Sequence, residues 1–235
     1  MDFSFSDSMT MLRDSAREFA VKRLKPGAQE WDEREEIPAA VYKEGAALGF
    51  FGLSIPEGFG GLDVDALANA AAMEELARGS ASFQVCAAVH NSLVCAAIVK
   101  HGADEQKRKF LPKMASGEWI GAYCLSEPGS GTDAGSLSAA AVEDGEHYVV
   151  NGTKSWVTNG GFAEVFLTFV STNKAAGSRG ITCLLVEKGM PGFSAGKKEK
   201  KMGLRASDTR ELIFQNAKIP KSAVLGSVGG GFKIA

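Results

Sequence analysis

Residues 123–135 read Tyr-Cys-Leu-Ser-Glu-Pro-Gly-Ser-Gly-Thr-Asp-Ala-Gly, and they divide the chain. Upstream, apolar residues recur with helical spacing; downstream, short apolar runs alternate with turn residues. The run Trp119-Ile120-Gly121-Ala122-Tyr123-Cys124-Leu125 enters the stretch as a strand and breaks at Pro128. Proline fixes its own φ and pushes Glu127 to an extended conformation. Gly129, Gly131 and Gly135 open backbone geometries closed to other residues and let a ligand approach the main chain. Such a loop can aim N–H groups and small hydroxyls at a planar or phosphorylated ligand. An ordinary turn has the same composition, and these residues alone do not choose between the two.

A second stretch does. Residues 151–161 read Asn-Gly-Thr-Lys-Ser-Trp-Val-Thr-Asn-Gly-Gly. Together the two resemble the acyl-CoA dehydrogenase family of flavoproteins, whose motifs are Tyr-x-Leu-Ser-Glu-Pro-Gly-x-Gly-Thr-Asp and, further on, Asn-Gly-x-Lys-x-Trp-x-Thr-Asn. The likeness continues through Lys201-Met202-Gly203-Leu204-Arg205-Ala206-Ser207-Asp208-Thr209 and Gly231-Phe232-Lys233-Ile234-Ala235. The fold it implies is α+β and multi-domain: an all-helical domain over 1–118, then an antiparallel β-barrel or sandwich over 119–228. Residues 229–235 would begin a C-terminal helical domain that lies outside this sequence.

Composition narrows the function. A chain of 235 residues, 45% apolar, suits one large domain or two of ordinary size. A formal charge of −2 argues against nucleic-acid binding by global charge. No apolar run approaches the ~18 residues of a membrane span. The N-terminus, Met1-Asp2-Phe3-Ser4-Phe5-Ser6-Asp7, has neither a basic n-region nor an Arg-rich transit pattern, which gives the expectation of a bacterial-type cytoplasmic protein. Cys86, Cys95, Cys124 and Cys183 form no CxxC pair and read as reduced, buried thiols, and His90, His101 and His147 lack metal-ligand spacing, so no metal site is expected.

Along the chain, residues 6–24 form a helix that Pro26-Gly27 should stop, and Ile37-Pro38 opens the next, with Val41, Tyr42 and Leu48 inward. After a Pro/Gly loop over 51–61, Asp63 caps a helix running to Arg78. Ser80 or Ser82 begins a long helix ending at His101, with Val85, Val89, Leu93, Ala96, Ala97 and Val99 inward. Its C-terminus suits a positive His101. Asp104 starts a short helix. Asp144-Gly145 marks a hairpin and Asn151-Gly152 a second turn. Val165–Val170 and Ile181–Val186 are strands buried on both faces, and Leu212-Ile213-Phe214 is the last clear strand. The basic run Gly196–Lys201 reads as a solvated loop, or as an attractor for a coenzyme A phosphate.

The resemblance implies chemistry. Members of the family remove hydrogens from the α,β carbons of an acyl-CoA thioester in fatty acid metabolism: a carboxylate base takes the α proton, a hydride passes to FAD, and electrons leave to an electron-transferring flavoprotein. They are usually homotetramers. By position, Tyr123, Cys124, Leu125, Ser126, Gly131, Thr132, Trp156, Val157 and Thr158 would hold FAD, with Trp156 packed on the ring, Thr158 at its reactive nitrogen, and Thr132 on the flavin or the thioester's phosphate side. Glu127 and Asp133 would shape the loop, Asp133 by capping local N–H groups, and no residue of this chain would be the catalytic base. His90-Asn91-Ser92-Leu93 is nearer to short- and branched-chain members. A flavin oxidase, a DNA-associated member and a non-catalytic binding module share the fold and remain as alternatives.

Overall fold

The computed structural model describes residues 4–235. α1 (Asp7–Phe19) begins at Ser6, whose hydroxyl accepts from the Met9 N–H. It does not stop at Pro26-Gly27 but runs through a π-helical segment (Ala20–Leu24) into α2 (Lys25–Arg34). Pro26 falls in the first turn of α2, after the wider π turn, so neither its ring nor its missing N–H breaks the helix. Glu35, in the left-handed region at φ 59°, ends it.

α3 (Ala39–Ala47) starts after Pro38 and buries Val41, whereas Leu48 is its C-cap and 46% exposed, not an inward residue. α4 (Ala66–Gly79) is capped by Asp65, whose side chain accepts from the Ala68 N–H. Asp63, two residues earlier, has φ 47° and caps nothing.

Ser80 caps α5 (Ala81–Ala88), which continues through a second π segment (Val89–Cys95) into α6 (Ala96–His101). Its buried face carries Phe83, Cys86, Ala87, His90, Asn91, Val94, Cys95 and Ile98, not the expected set; Leu93 is 41% exposed. Two causes combine: the run is apolar all round, so periodicity cannot choose a face, and the π turn shifts the phase midway. This 21-residue helix is by length and composition long and apolar enough to cross a membrane, contrary to the expectation that no apolar run approaches that length. Here it is a core helix, about half buried in the fold. At its end burial lowers the pKa of His101 and so works against the expected positive form. α7 (Asp104–Ala115) completes the helical region.

The strands are β1 (Gly121–Cys124), β2 (Ala140–Asp144), β3 (His147–Thr158), β4 (Val165–Ser171), β5 (Ile181–Glu187), β6 (Phe193–Lys198), β7 (Thr209–Pro220) and β8 (Val224–Leu225), followed by α8 (Gly231–Ile234). The sheet order is β6-β7-β3-β2-β4-β5-β8, antiparallel apart from β1, which pairs in parallel with β4, and one parallel contact between β2 and β4. That parallel edge departs from the antiparallel expectation. β1 arrives from the helical layer and lies along β4 rather than entering by a hairpin.

β4 and β5 are buried on both faces, as their apolar runs predict. Val165, Leu167, Phe169, Ile181, Cys183 and Leu185 pack with Ile98, Leu111 and Met114 of the helices. Phe166, Val170, Leu184 and Val186 turn the other way, into a core with Tyr148, Leu212 and Phe214. A separate helical core gathers Phe19, Phe50, Phe51 and Phe83.

Two local readings change. Asn151-Gly152 is not a turn: it lies inside β3 at a register shift against β7, with Gly152 at φ 146°. The basic run is not a free loop: Phe193–Lys198 forms edge strand β6. Two of its lysines serve internal contacts, Lys198 Nζ donating to the Glu35 carbonyl and Lys201 Nζ to the Ser207 carbonyl. Lys198, together with Arg205 Nη2 donating to the Glu35 carboxylate at 2.9 Å, ties the β region to the end of α2.

Candidate functional site

A concavity of about 200 Å³ opens where the second π segment, β1 and β3 meet, lined by Val89, Leu93, Tyr123, Leu125, Ser126, Ser155, Trp156 and Thr158. Its shape comes from a bulge. β3 and β7 lose register between Lys154 and Val157, so residues 155–156 oppose one residue of β7. Bulges turn side chains out of the ladder and are common beside functional sites. Trp156 sits there at φ 59° and 64% exposed. A left-handed tryptophan carries strain of about 1–2 kcal/mol, so the fold holds an aromatic face out to solvent at a cost.

The floor is fixed by buried polar contacts. The Ser155 N–H donates to the Ser126 carbonyl at 2.8 Å, stitching the two motif segments together. Lys154, fully buried, donates from Nζ to the Leu125 carbonyl at 3.1 Å and to Glu127 Oε1 at 2.7 Å. Glu127 Oε2 accepts from the Ser138 N–H at 2.7 Å and its hydroxyl at 2.5 Å. Burial pushes the Glu127 carboxyl up, but the hydrogen bonds from Lys154 and Ser138 prevail and hold it below the ordinary carboxylate range. Burial likewise lowers the Lys154 ammonium, against the opposing pull of Glu127.

Gly121, just ahead of Tyr123, is held from both sides. Its N–H donates to His90 Nδ1 at 3.0 Å, and its carbonyl accepts from Asn159 Nδ2 at 3.0 Å. Because Nδ1 accepts, the proton sits on Nε2, which donates to the Phe51 carbonyl at 2.9 Å. Burial drives the His90 pKa down to about 4, so the ring is neutral.

The residues expected from sequence divide into three groups. Tyr123, Leu125, Ser126, Trp156 and Thr158 line the concavity together. The Cys124 and Val157 side chains point into the β core, at 0% and 1% exposure, leaving only their main chain to offer. Gly131 and Thr132 are exposed on the loop outside the concavity's lining. Gly129, Gly131 and Gly135 have ordinary φ, and a Cβ at Gly129 or Gly131 would meet nothing, so the chain's own geometry does not demand glycine there. The Asp133 carbonyl, rather than its carboxylate, organises the loop, accepting from the Ser130 and Ser136 hydroxyls. Sequence reasoning missed Ser155, whose neighbourhood only the bulge reveals, and Lys154, whose partner lies far off in sequence.

A larger cleft, about 300 Å³, lies between α3 and the β region beside Tyr42 and Phe162. Within it Arg210 Nε donates to Asp208 at 2.9 Å, so that pair is already engaged. No group of His, Cys, Asp and Glu able to hold a metal occurs among the described residues.

Two family models match in tandem: the acyl-CoA dehydrogenase N-terminal domain over residues 6–118 and the acyl-CoA dehydrogenase middle domain over 122–217. The chain belongs to the acyl-CoA dehydrogenase family. The human mitochondrial short-chain specific acyl-CoA dehydrogenase is 45% identical over 225 residues, 96% of this chain and 55% of that protein. The short-chain specific acyl-CoA dehydrogenase of Clostridium acetobutylicum is 42% identical over 235 residues, 100% of this chain and 62% of that protein. Among solved structures, butyryl-CoA dehydrogenase from Megasphaera elsdenii superposes with a TM-score of 0.96 at 37% identity, covering 100% of this chain and 62% of its own. An acyl-CoA dehydrogenase complexed with FAD from Bacillus anthracis gives 0.90 at 35% identity, covering 98% and 40%. The chain thus spans between 40% and 62% of the length of these relatives within the acyl-CoA dehydrogenase family.

Proposed function

We propose that this chain is the flavin-holding part of an enzyme that dehydrogenates an acyl-CoA thioester to the enoyl-CoA and passes electrons to an electron-transferring flavoprotein. The observation that carries this reading is Trp156, strained and solvent-facing over a concavity that Ser126, Ser155 and Thr158 help to line. An exposed aromatic face with hydroxyl donors and apolar walls fits a tricyclic, polar-edged ring. FAD, when bound, would supply the hydride acceptor. Tyr123, Leu125, Val89 and Leu93 would exclude water from one side of the ring, and Ser126 and Thr158 would hydrogen-bond its polar edge. No carboxylate lines the concavity, and Glu127 is locked to Lys154 and Ser138. A base for the α proton would therefore come from outside residues 1–235.

In the complete gene product, stoichiometric FAD is expected, with its visible absorption bleached anaerobically by a short-chain acyl-CoA. Flavin that stays oxidised with every acyl-CoA tested would defeat the activity, and a protein that takes up no FAD would defeat the site.

Trp156→Gly separates fold from flavin. Glycine relieves the left-handed strain, so stability should stay within about 1 kcal/mol of the parent. FAD affinity, titrated calorimetrically, should fall at least tenfold. An unchanged affinity would show that Trp156 does not touch the ring.

A further inference from the structure

We propose that the buried Lys154–Glu127 pair is the positioning device of the flavin site, with Lys154 the residue that brings its two edges to one ligand. The inference rests on the flavin reading above.

One edge of the concavity is Leu125-Ser126, at the end of β1; the other is Ser155-Trp156-Thr158, on the bulged end of β3. β1 and β3 are not paired strands, since β1 bonds to β4 and β3 to β2 and β7. One main-chain bond, from the Ser155 N–H to the Ser126 carbonyl at 2.8 Å, joins the two edges, and no ladder between β1 and β3 continues it. Lys154 spans the gap: it stands on β3 next to Ser155 and reaches the Leu125 carbonyl at 3.1 Å and the Glu127 carboxylate at 2.7 Å. Glu127 carries the restraint onward to Ser138 and to the Ala139 N–H at 3.1 Å, where the loop returns to the sheet. Both side chains of the pair are 0% exposed.

A buried pair is an unusual choice for stability alone, because apolar residues of like volume often serve as well or better. Its directional contacts suit registration instead. Lys154 adds a second link, from its side chain on one strand to the main chain of the other edge, without itself lining the concavity.

The test uses the complete protein reconstituted with FAD. Lys154→Met keeps the stem and removes the charge. Arg17→Met is the control, breaking a pair of comparable contact, Arg17–Glu75 at 2.7 Å, in the helical region. At a temperature where circular dichroism shows all proteins folded, Lys154→Met should weaken FAD at least tenfold and shift the visible flavin spectrum at saturation. Arg17→Met should lower the melting temperature with FAD affinity within twofold. Should Lys154→Met not fold, Ser138→Ala, which removes only the 2.5 Å bond to Glu127, carries the test with an expected threefold loss. A folded Lys154→Met with parental affinity and spectrum, or failing that an unaltered Ser138→Ala, overturns the proposal. A parent protein that takes up no FAD overturns the flavin reading itself, a distinct result.

Discussion

Between pH 6.5 and pH 4 the fold is expected to lose about 3 kcal/mol through His90 alone, because burial lowers its pKa from 6.5 to about 4. In the folded protein the ring stays neutral, pinned by the Gly121 N–H and the Phe51 carbonyl. The unfolded chain takes up a proton near 6.5. Below that pH the unfolded state binds more protons, so stability falls as pH falls, and the loss is complete near the folded pKa. The carboxylates held low, Glu75 by the Arg17 hydrogen bond and Glu35 by the Arg205 hydrogen bond, act in a lower window, below their ordinary 4.5. His101 shifts in the same direction, so the comparison is with a variant. His90→Gln should be less stable at pH 7 but should lose most of the slope between pH 6.5 and 4.5 in urea unfolding. Equal slopes in the two proteins would locate the proton uptake elsewhere.

Asn91→Ala should cost about 4 kcal/mol. The Asn91 side chain accepts from the Leu53 N–H at 2.9 Å and donates to the Phe50 and Ala87 carbonyls at 2.8 and 2.9 Å. Alanine strands the Leu53 N–H and Phe50 carbonyl in a dry core, each worth roughly 1–3 kcal/mol when unpaired. Leu93→Ala, two residues on and 41% exposed, should cost under about 1 kcal/mol. Urea unfolding of both variants at one pH checks the contrast. A loss below about 1 kcal/mol for Asn91→Ala would mean that the loop over residues 50–53 does not depend on it.

These two residues mark where sequence reading stops. The strands Val165–Val170 and Ile181–Val186 were legible because burial on both faces leaves an unbroken apolar run. The change of character near Trp119 was legible because helices and strands impose different periods. Pro26 misled because a π segment upstream changes what a helix tolerates, and a π segment has no composition of its own. Asp63 and Asp65 are equal candidates on paper; only backbone geometry separates them. The parallel pairing of β1 with β4 is a matter of topology that no local pattern encodes.

At the site, the family resemblance named Tyr123, Leu125, Ser126, Trp156 and Thr158, and the structure gathers them. It did not show that Cys124 and Val157 face inward, since strand alternation needs a register and the bulge resets it. Nor could it pair Lys154 with Glu127, a contact made through the third dimension alone.

The π segment Val89–Cys95 has one more consequence. Compared with an α-helix spanning the same two ends, it stores about one surplus residue. A lineage could therefore drop a single residue here and keep α5 and α6 where they are, the surplus absorbing the change. What would alter is which side chains are dealt to the core and which, like Val89 and Leu93, to the concavity. Length variation inside this one helix is thus a means of reshaping the wall of the ligand site while the sheet opposite stays untouched, and sequence alignments through it should be gapped at residues 89–95 rather than at its ends.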